Sequence, residues 1–455
     1  MKKLISLGLT LAVAWAAPLV VNEVAPGVNL GQSAVAAEEK KKTRKVPAMR
    51  EKTYKKLAEA QIMIDPESAP REEGEPPPEP KGTPQDAIKI LLGMLGEKGL
   101  NSYESAQIWN TLAFAYYTIE DMPKTINAYE QILKTGTITE ALELSALRAL
   151  FQLYYAEEQY AKSIQYIDRW QTLKGTPDAN VTFIKATAYY QLSDFRESLR
   201  NALLVEEIAV SQQKEMKENW WYLQVVLYNE VEDTDNVIRV LETLIIHFPK
   251  KQYWMHLAGM YSEKGWDDKS LSAYYAAYIQ GFLAKESELV MLAQRLLGAE
   301  NPYEASQILD KGMEDGIIEE SEKTLKLLAT SYTLAQETNL AIDAWRDSTR
   351  YAENGELHFR LAQALAQEDR HKEAITAYAE AIKKGDLRKP ADAAFWKGVS
   401  EMQLERWDSA TASFREAARM DKSKAKQSRQ YIRYIAGEKR RQEELRKMLE
   451  GVGEE

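Results

Sequence analysis

Histidine, carboxylates and clustered aromatic rings are the raw material of catalytic and ligand pockets. The stretch WMHLAGMYSEKGWDDKSLSAYYAA, from Trp254 to Ala277, holds all three. If the chain brought His256 together with Glu263, Asp267 and Asp268, the group could move a proton or hold a metal ion. Spacing argues against both. The four histidines are His247, His256, His358 and His371, and no two form an HExxH or similar ligand pair. The sequence has no cysteine, which removes thiolate ligands, cysteine nucleophiles, disulfides and lipidation of an N-terminal cysteine together. Acidic pairs such as Asp267-Asp268 and Glu319-Glu320 are adjacent in sequence. Neighbours on a helix point in different directions, so such pairs read as solvated faces rather than acid–base couples. There is no phosphate-binding glycine loop, no GxSxG elbow and no GxGxxG after a strand. We expect no catalytic residue, no metal site and no bound cofactor.

The same stretch makes sense as one unit of a repeat. Counting from Lys251, Trp254 is residue 4, Leu257 and Ala258 are 7 and 8, Tyr261 is 11 and Gly265 is 15. Ser270, Leu271, Tyr274 and Ala277 then occupy 20, 21, 24 and 27. This alternation of large and small residues recurs in units starting near 106, 144, 179, 218, 251, 286, 322, 355 and 391, spaced 33 to 39 residues apart. It resembles the tetratricopeptide unit, two antiparallel helices whose small residues at 8 and 20 let the helices approach. A single pair cannot bury its apolar stripe, so pairs must stack. The expectation is an all-α fold, a helix-turn-helix solenoid of about nine repeats over 106–420, wound into a right-handed superhelix. Gly136, Gly175, Gly281, Gly316, Gly355 and Gly385 mark its joints. His358 at residue 4 and His371 at residue 17 fit as packing variants, and His247 falls at the end of a second helix, where the dipole favours it.

The ends depart from the repeat. Met1-Lys2-Lys3, an apolar run from Leu4 to Val21, and small-x-small sites at Ala14–Ala16 and Ala34–Ala36 have the form of a secretory signal over 1–36. An uncleaved anchor is the alternative. With cleavage, the later sequence offers no membrane span, and the expected location is the periplasm. Residues 37–105 hold an amphipathic stretch, a proline-rich insertion at 66–82 and a second stretch, TPQDAIKILLGML, with Thr83 as N-cap and Pro84 in the first turn. The insertion is either an enlarged turn within a partial repeat or a plain linker. Residues 421–455 read as a charged capping helix, with a basic docking surface as a second reading. A net charge of −10 argues against nucleic acid as the partner.

Function then rests on the groove that stacked first helices form, into which residues 2, 5, 9 and 12 of each unit point in this fold. In the first four units these positions are rich in aromatics and amides, a composition suited to binding peptides. The candidate partner-binding residues are Asn110, Phe114, Tyr117, Tyr155, Phe183, Tyr190, Tyr222 and Asn229. The lysine–asparagine clamp of chaperone-binding repeats is not recognisable, because the first unit has Asn110 and Phe114 in those places.

Beyond the generic repeat, the stretches KVPAMREKTYKKL, YESAQIWNTLAFAYYTIEDMPKTINAYEQIL, KENWWYLQVVLYNEVED, FPKKQYW and FREAARMDKSKAKQSRQYIRYI resemble exported bacterial tetratricopeptide proteins associated with TonB–ExbB–ExbD systems. The resemblance implies a non-catalytic periplasmic scaffold or adaptor, an accessory of energy transduction for outer-membrane transport, with proteins or peptides of the cell envelope as partners, TonB, ExbB or ExbD among them. It brings no ligand residues. A scaffold for another envelope process, such as cell-wall or exopolysaccharide assembly, is the alternative. A lytic transglycosylase is not expected, since the 38 residues after Ala417 carry no catalytic domain.

Overall fold

The computed structural model describes residues 44–68 and 78–452. The signal-like segment 1–36 lies outside the described residues, as does 69–77 of the proline-rich insertion. The chain divides between Glu232 and Asp233 into two compact units. Every regular element among the described residues is helical, and no described helix is long and apolar enough to cross a membrane.

The first unit contains α1 (Glu51–Ile64), α2 (Pro84–Leu95), α3 (Ser102–Thr118), α4 (Met122–Lys134), α5 (Glu140–Ala156), α6 (Tyr160–Lys174), α7 (Ala179–Gln191), α8 (Phe195–Ser211) and α9 (Glu218–Glu230). Each helix packs on the next in sequence. Local chemistry sets the helix starts. Thr83 and Asn101 form capping boxes with Asp86 and Glu104, and Asp121, Thr139, Asp178 and Asp194 accept from backbone N–H groups of the first turn. Helices α7 and α9 begin where the repeat alignment places them, at 179 and 218. Helices α3 and α5 begin four residues before 106 and 144, because Asn101 and Thr139 supply caps one turn earlier.

The N-terminal segment is held by one carboxylate. Glu104, at the start of α3, has no exposed surface and sits against the N-terminus of α1. It accepts from the Arg50 backbone N–H (2.9 Å), Arg50 Nε (2.8 Å), Thr53 Oγ1 (2.8 Å) and the Asn101 N–H (3.1 Å). Asn101 Nδ2 donates to the Ala48 carbonyl, and Lys52 and Lys56 both reach Glu97. Leu57, Ala60, Met63 and Ile64 of α1 share one core with Ala87, Leu91 and Met94 of α2 and Leu112 of α3.

The second unit contains α10 (Thr234–His247), α11 (Lys251–Glu263), α12 (Asp267–Ile279), α13 (Glu286–Gly298), α14 (Pro302–Glu314), α15 (Glu322–Leu334), α16 (Thr338–Ser348), α17 (Glu356–Gln367), α18 (His371–Lys384), α19 (Pro390–Gln403), α20 (Trp407–Met420) and α21 (Ala425–Val452). A continuous core runs from Ala277 to Ala393, and a second joins α19, α20 and the first half of α21. There the Tyr431 ring stacks on Phe414 at 5.0 Å and meets Phe395 edge-on at 5.5 Å. Trp407 Nε1 donates to Gln442, and beyond that residue Leu445 and Met448 are exposed.

The repeat chemistry shows in both units. At residues 8 and 20, Ala113 and Thr125, Ala186 and Ser198, Ala258 and Ser270, and Ala293 and Ala305 are essentially without exposed surface. Ser198 also donates to the Ala186 carbonyl across the helix pair at 2.8 Å. Phe151 stands at residue 8 of its unit, where most others have Ala or Gly, and its ring turns edge-on to Trp170 at 6.3 Å. Tyrosines at residue 11 do more than fill space. Tyr154 donates to Glu130 and Tyr261 to Glu242, both at 2.7 Å, and Asp310 lies close enough to the Tyr332 hydroxyl to add to burial in raising its pKa. In each case the acid is residue 25 of the preceding repeat, so a hydroxyl–carboxylate rung ties one repeat to the next.

In each of the nine numbered repeats the turn from first to second helix passes through one left-handed residue at position 15. These are Glu120, Glu158, Ser193, Glu232, Gly265, Glu300, Gln336, Asp369 and Glu405, with φ between 54° and 71°. The next N–H reaches back to the carbonyl of residue 11, as from Asp121 to Tyr116 (2.9 Å) and from Trp266 to Tyr261 (2.8 Å), which closes a Schellman turn. Only Gly265 occupies this conformation without steric cost. Replacing Glu120, Glu158, Glu300 or Glu405 by Gly is therefore expected to stabilise the fold by about 0.5–1 kcal/mol each, with Gly265→Ala changing it by a similar amount in the other direction. Urea midpoints at unchanged slope measure this, and a lower midpoint for Glu158→Gly would contradict it.

Candidate functional site

The histidines are dispersed. Burial lowers the pKa of His256, and burial together with Lys384 lowers that of His358, which favours the neutral form of both. His371 opens α18, its Nε2 3.5 Å from Asp369. Among the described residues no three His, Asp or Glu side chains come together as a metal site. In the stretch from Trp254 to Ala277, Leu257, Ala258 and Ala277 are buried, and the Tyr261 hydroxyl is engaged by Glu242.

The residues expected to bind a partner all belong to the first unit, on α3, α5, α7 and α9, the first helices of successive pairs. Seven of the eight are half-buried, and Asn229 is exposed. The structure links several of them. Burial raises the Tyr155 pKa, and Thr187 on α7 is near enough to its hydroxyl to offset part of that rise. Its ring meets Tyr160 edge-on at 5.2 Å. Tyr190 lies near enough to Tyr222 and Glu230 of α9 for their charges to add to burial in raising its pKa. Tyr155, Tyr190 and Tyr222 thus lie along three successive first helices.

Others are turned to packing. Phe183 reaches the Trp220 ring at 6.3 Å and rests against Val205 and Ile208. Phe114 lies on the core of α1–α5. Tyr190 serves both roles, because its ring also meets Phe195 at 5.7 Å. Asn110 and Tyr117 share α3 with Phe114, separate from the tyrosine row.

Two neighbours of this face lie outside the sequence candidates. Thr187, residue 9 of its unit, lies beside the Tyr155 hydroxyl and donates to the Ile184 carbonyl at 2.9 Å. Lys217 donates to Asn180 at 2.8 Å while its ammonium sits 5.0 Å from the Trp220 ring centre. It falls one residue before the numbered unit, so a pattern confined to first-helix positions passes over it. Its own signal was a lysine beside the Trp220-Trp221 pair.

The tetratricopeptide repeat family model matches residues 328–387 and 359–425. The chain is an all-α tetratricopeptide solenoid. Solved structures similar to it include MamA, with 20% identity and a TM-score of 0.32 over 37% of this chain and 97% of that one. YrrB, a tetratricopeptide protein with an unusual peptide-binding site, is 18% identical, with a TM-score of 0.33 over 42% and 96% of the two chains. The TPR2AB domain of yeast Sti1 in its pHSP90 complex is 15% identical, with a TM-score of 0.26 over 64% and 98%. Comparison with curated proteins gives no match.

Proposed function

We propose that this solenoid is a periplasmic scaffold that holds protein or peptide segments of the cell envelope, as an accessory of a TonB–ExbB–ExbD energy-transduction system. The observation that carries the binding role is the row of Tyr155, Tyr190 and Tyr222 along α5, α7 and α9, with Asn180 and Asn229 at its margins. Half-buried tyrosines offer rigid contact area at little entropic cost, and amides adapt their hydrogen bonds to a backbone. The TonB assignment and export rest on the sequence resemblance and on the signal-like segment 1–36.

Crosslinked affinity capture from native envelope fractions is expected to recover TonB, ExbB or ExbD. The triple variant Tyr155→Ala/Tyr190→Ala/Tyr222→Ala is expected to reduce recovery by about tenfold, equivalent to about 1.4 kcal/mol of binding, with helical circular dichroism retained. Recovery undiminished in the variant would remove the tyrosine row from the interface. Wild-type capture without any of the three proteins would overturn the TonB reading. Mass spectrometry of the mature protein is expected to find its N-terminus at Ala37.

A further inference from the structure

The C-terminal helix carries charge opposite to that of the chain. Between Ala425 and Lys447 there are eight Lys and Arg against three Glu, in a protein of net charge −10. Their arrangement is not uniform. On a 3.6-residue turn, Lys426, Arg429, Arg433 and Arg440 fall within about 60° of arc, and all four are exposed. The opposite face carries Tyr431, Ile435 and Gln442, the residues that seat α21 on α19 and α20. The stripe therefore points away from the body that holds the helix.

Other cations of α21 are already engaged. Lys439 pairs with Asp408, Arg441 with Glu438, and Arg446 and Lys447 with Glu443. Among the described residues, none of the four stripe cations pairs with a carboxylate, although Glu444 lies on the same arc further along the helix. Beside the stripe runs an apolar edge, Tyr434, Leu445 and Met448, which are 55%, 51% and 67% exposed. A row of Arg and Lys flanked by an exposed aromatic and aliphatic edge is the pattern of a helix lying at a lipid–water interface. An acidic protein segment would complement the cations but would leave the apolar edge uncovered.

We propose that the outer face of α21 docks this end of the solenoid onto an anionic lipid surface, its guanidinium and ammonium groups on the headgroup phosphates and Tyr434, Leu445 and Met448 at the headgroup boundary. Attraction of about 1 kcal/mol per basic residue near such a surface makes the association reversible. It is also salt-sensitive, because the charges are exposed.

The test is co-sedimentation of the full chain with phosphatidylglycerol-rich vesicles, phosphatidylcholine vesicles and, separately, binding to polyglutamate. Binding is expected only to the anionic vesicles, and is expected to vanish when added salt shortens the Debye length to about 3 Å. Arg429→Glu/Arg433→Glu/Arg440→Glu, whose side chains face solvent, is expected to lose at least about tenfold in vesicle binding with its unfolding midpoint unchanged. Met448→Ser tests the apolar edge and is expected to weaken vesicle binding without altering the salt dependence. Equal binding to neutral and anionic vesicles would overturn the proposal, as would full binding by the triple variant. Capture of polyglutamate without any vesicle binding would also overturn it and assign the stripe to an acidic protein.

Discussion

Replacing Glu104 by Ala is expected to release the N-terminal helix from the first unit, at a cost of roughly 2–4 kcal/mol. The carboxylate is buried and accepts from Arg50, Thr53 and Asn101 at once. Its removal leaves two backbone N–H groups and a hydroxyl short of a partner. Hydrogen exchange is expected to accelerate across Glu51–Ile64 while α5 to α8 stay protected. Arg50→Ala is expected to cost less, because its side chain is 48% exposed and water can replace part of what it loses. Protection of α1 unchanged in Glu104→Ala would show that its apolar face alone holds it.

The same carboxylate gives a pH dependence with a definite sign. Burial alone would raise its pKa, but the hydrogen bonds outweigh that penalty and hold it at about 2, below the ordinary 4.5. A group whose folded pKa lies below its unfolded value stabilises the fold most above the unfolded value. This contribution should be complete above about pH 4.5 and decline as the pH falls toward 2. Acid titration of α1 protection is expected to show the loss in wild type and not in Glu104→Gln.

Gly355→Ala is the second large effect. The Gly355 N–H donates to the Gly385 carbonyl at 2.9 Å. A Cβ placed on Gly355 would lie 2.1 Å from the Ala381 carbonyl oxygen and 3.0 Å from that of Gly385. Its own φ is −78°, so the requirement is for space, not for a left-handed backbone. The segment entering α17 and the end of α18 must part to admit a methyl group, and overpacking of backbone against backbone costs about 3 kcal/mol. Gly259→Ala is the control. A Cβ there meets nothing within 4 Å, so a helix-interior Ala is expected to stabilise by up to about 1 kcal/mol. Thermal midpoints moving in the same direction for the two variants would contradict this account.

Helix pairing was legible because its code is residue size at fixed positions. Ala258, Ala293 and Ala329 could be placed between helices from sequence alone, and they have no exposed surface. The turns between paired helices were less legible. Gly265 announces a left-handed residue, but its equivalents Glu120, Glu158 and Glu405 adopt the same φ without any favourable propensity. Stacking of the pairs imposes the turn against local preference. Among the glycines expected at joints, Gly175, Gly281, Gly316 and Gly385 have positive φ, whereas Gly136 and Gly355 do not.

The candidate site was legible in residue type more than in role. Tyrosine at a first-helix position looks the same in sequence whether its ring lines a surface or closes a core. Only the fold separates Phe183, wedged toward Trp220, from Tyr155, whose ring meets Tyr160 edge-on. Part of the stretch KVPAMREKTYKKL proves to be anchoring chemistry. Its Arg50 and Thr53 meet Glu104, which lies in the stretch beginning YESAQIW, so two of the sequences that carried the resemblance form one joint.

The hydroxyl–carboxylate rungs also bear on how the chain finds its structure. Tyr154 and Glu130 are 24 residues apart, and Tyr261 and Glu242 are 19 apart. Such closures ask little loop entropy of a growing chain, so low contact order and rapid, piecewise folding follow. Residue 25 is an acid in the repeats starting at 106, 144, 218 and 286 but is Tyr275, Arg346 and Ala379 in those starting at 251, 322 and 355, so the rung recurs at some interfaces and not at others. In a linear array whose neighbours couple unequally, the helix pairs can complete their folding in separate steps rather than all at once.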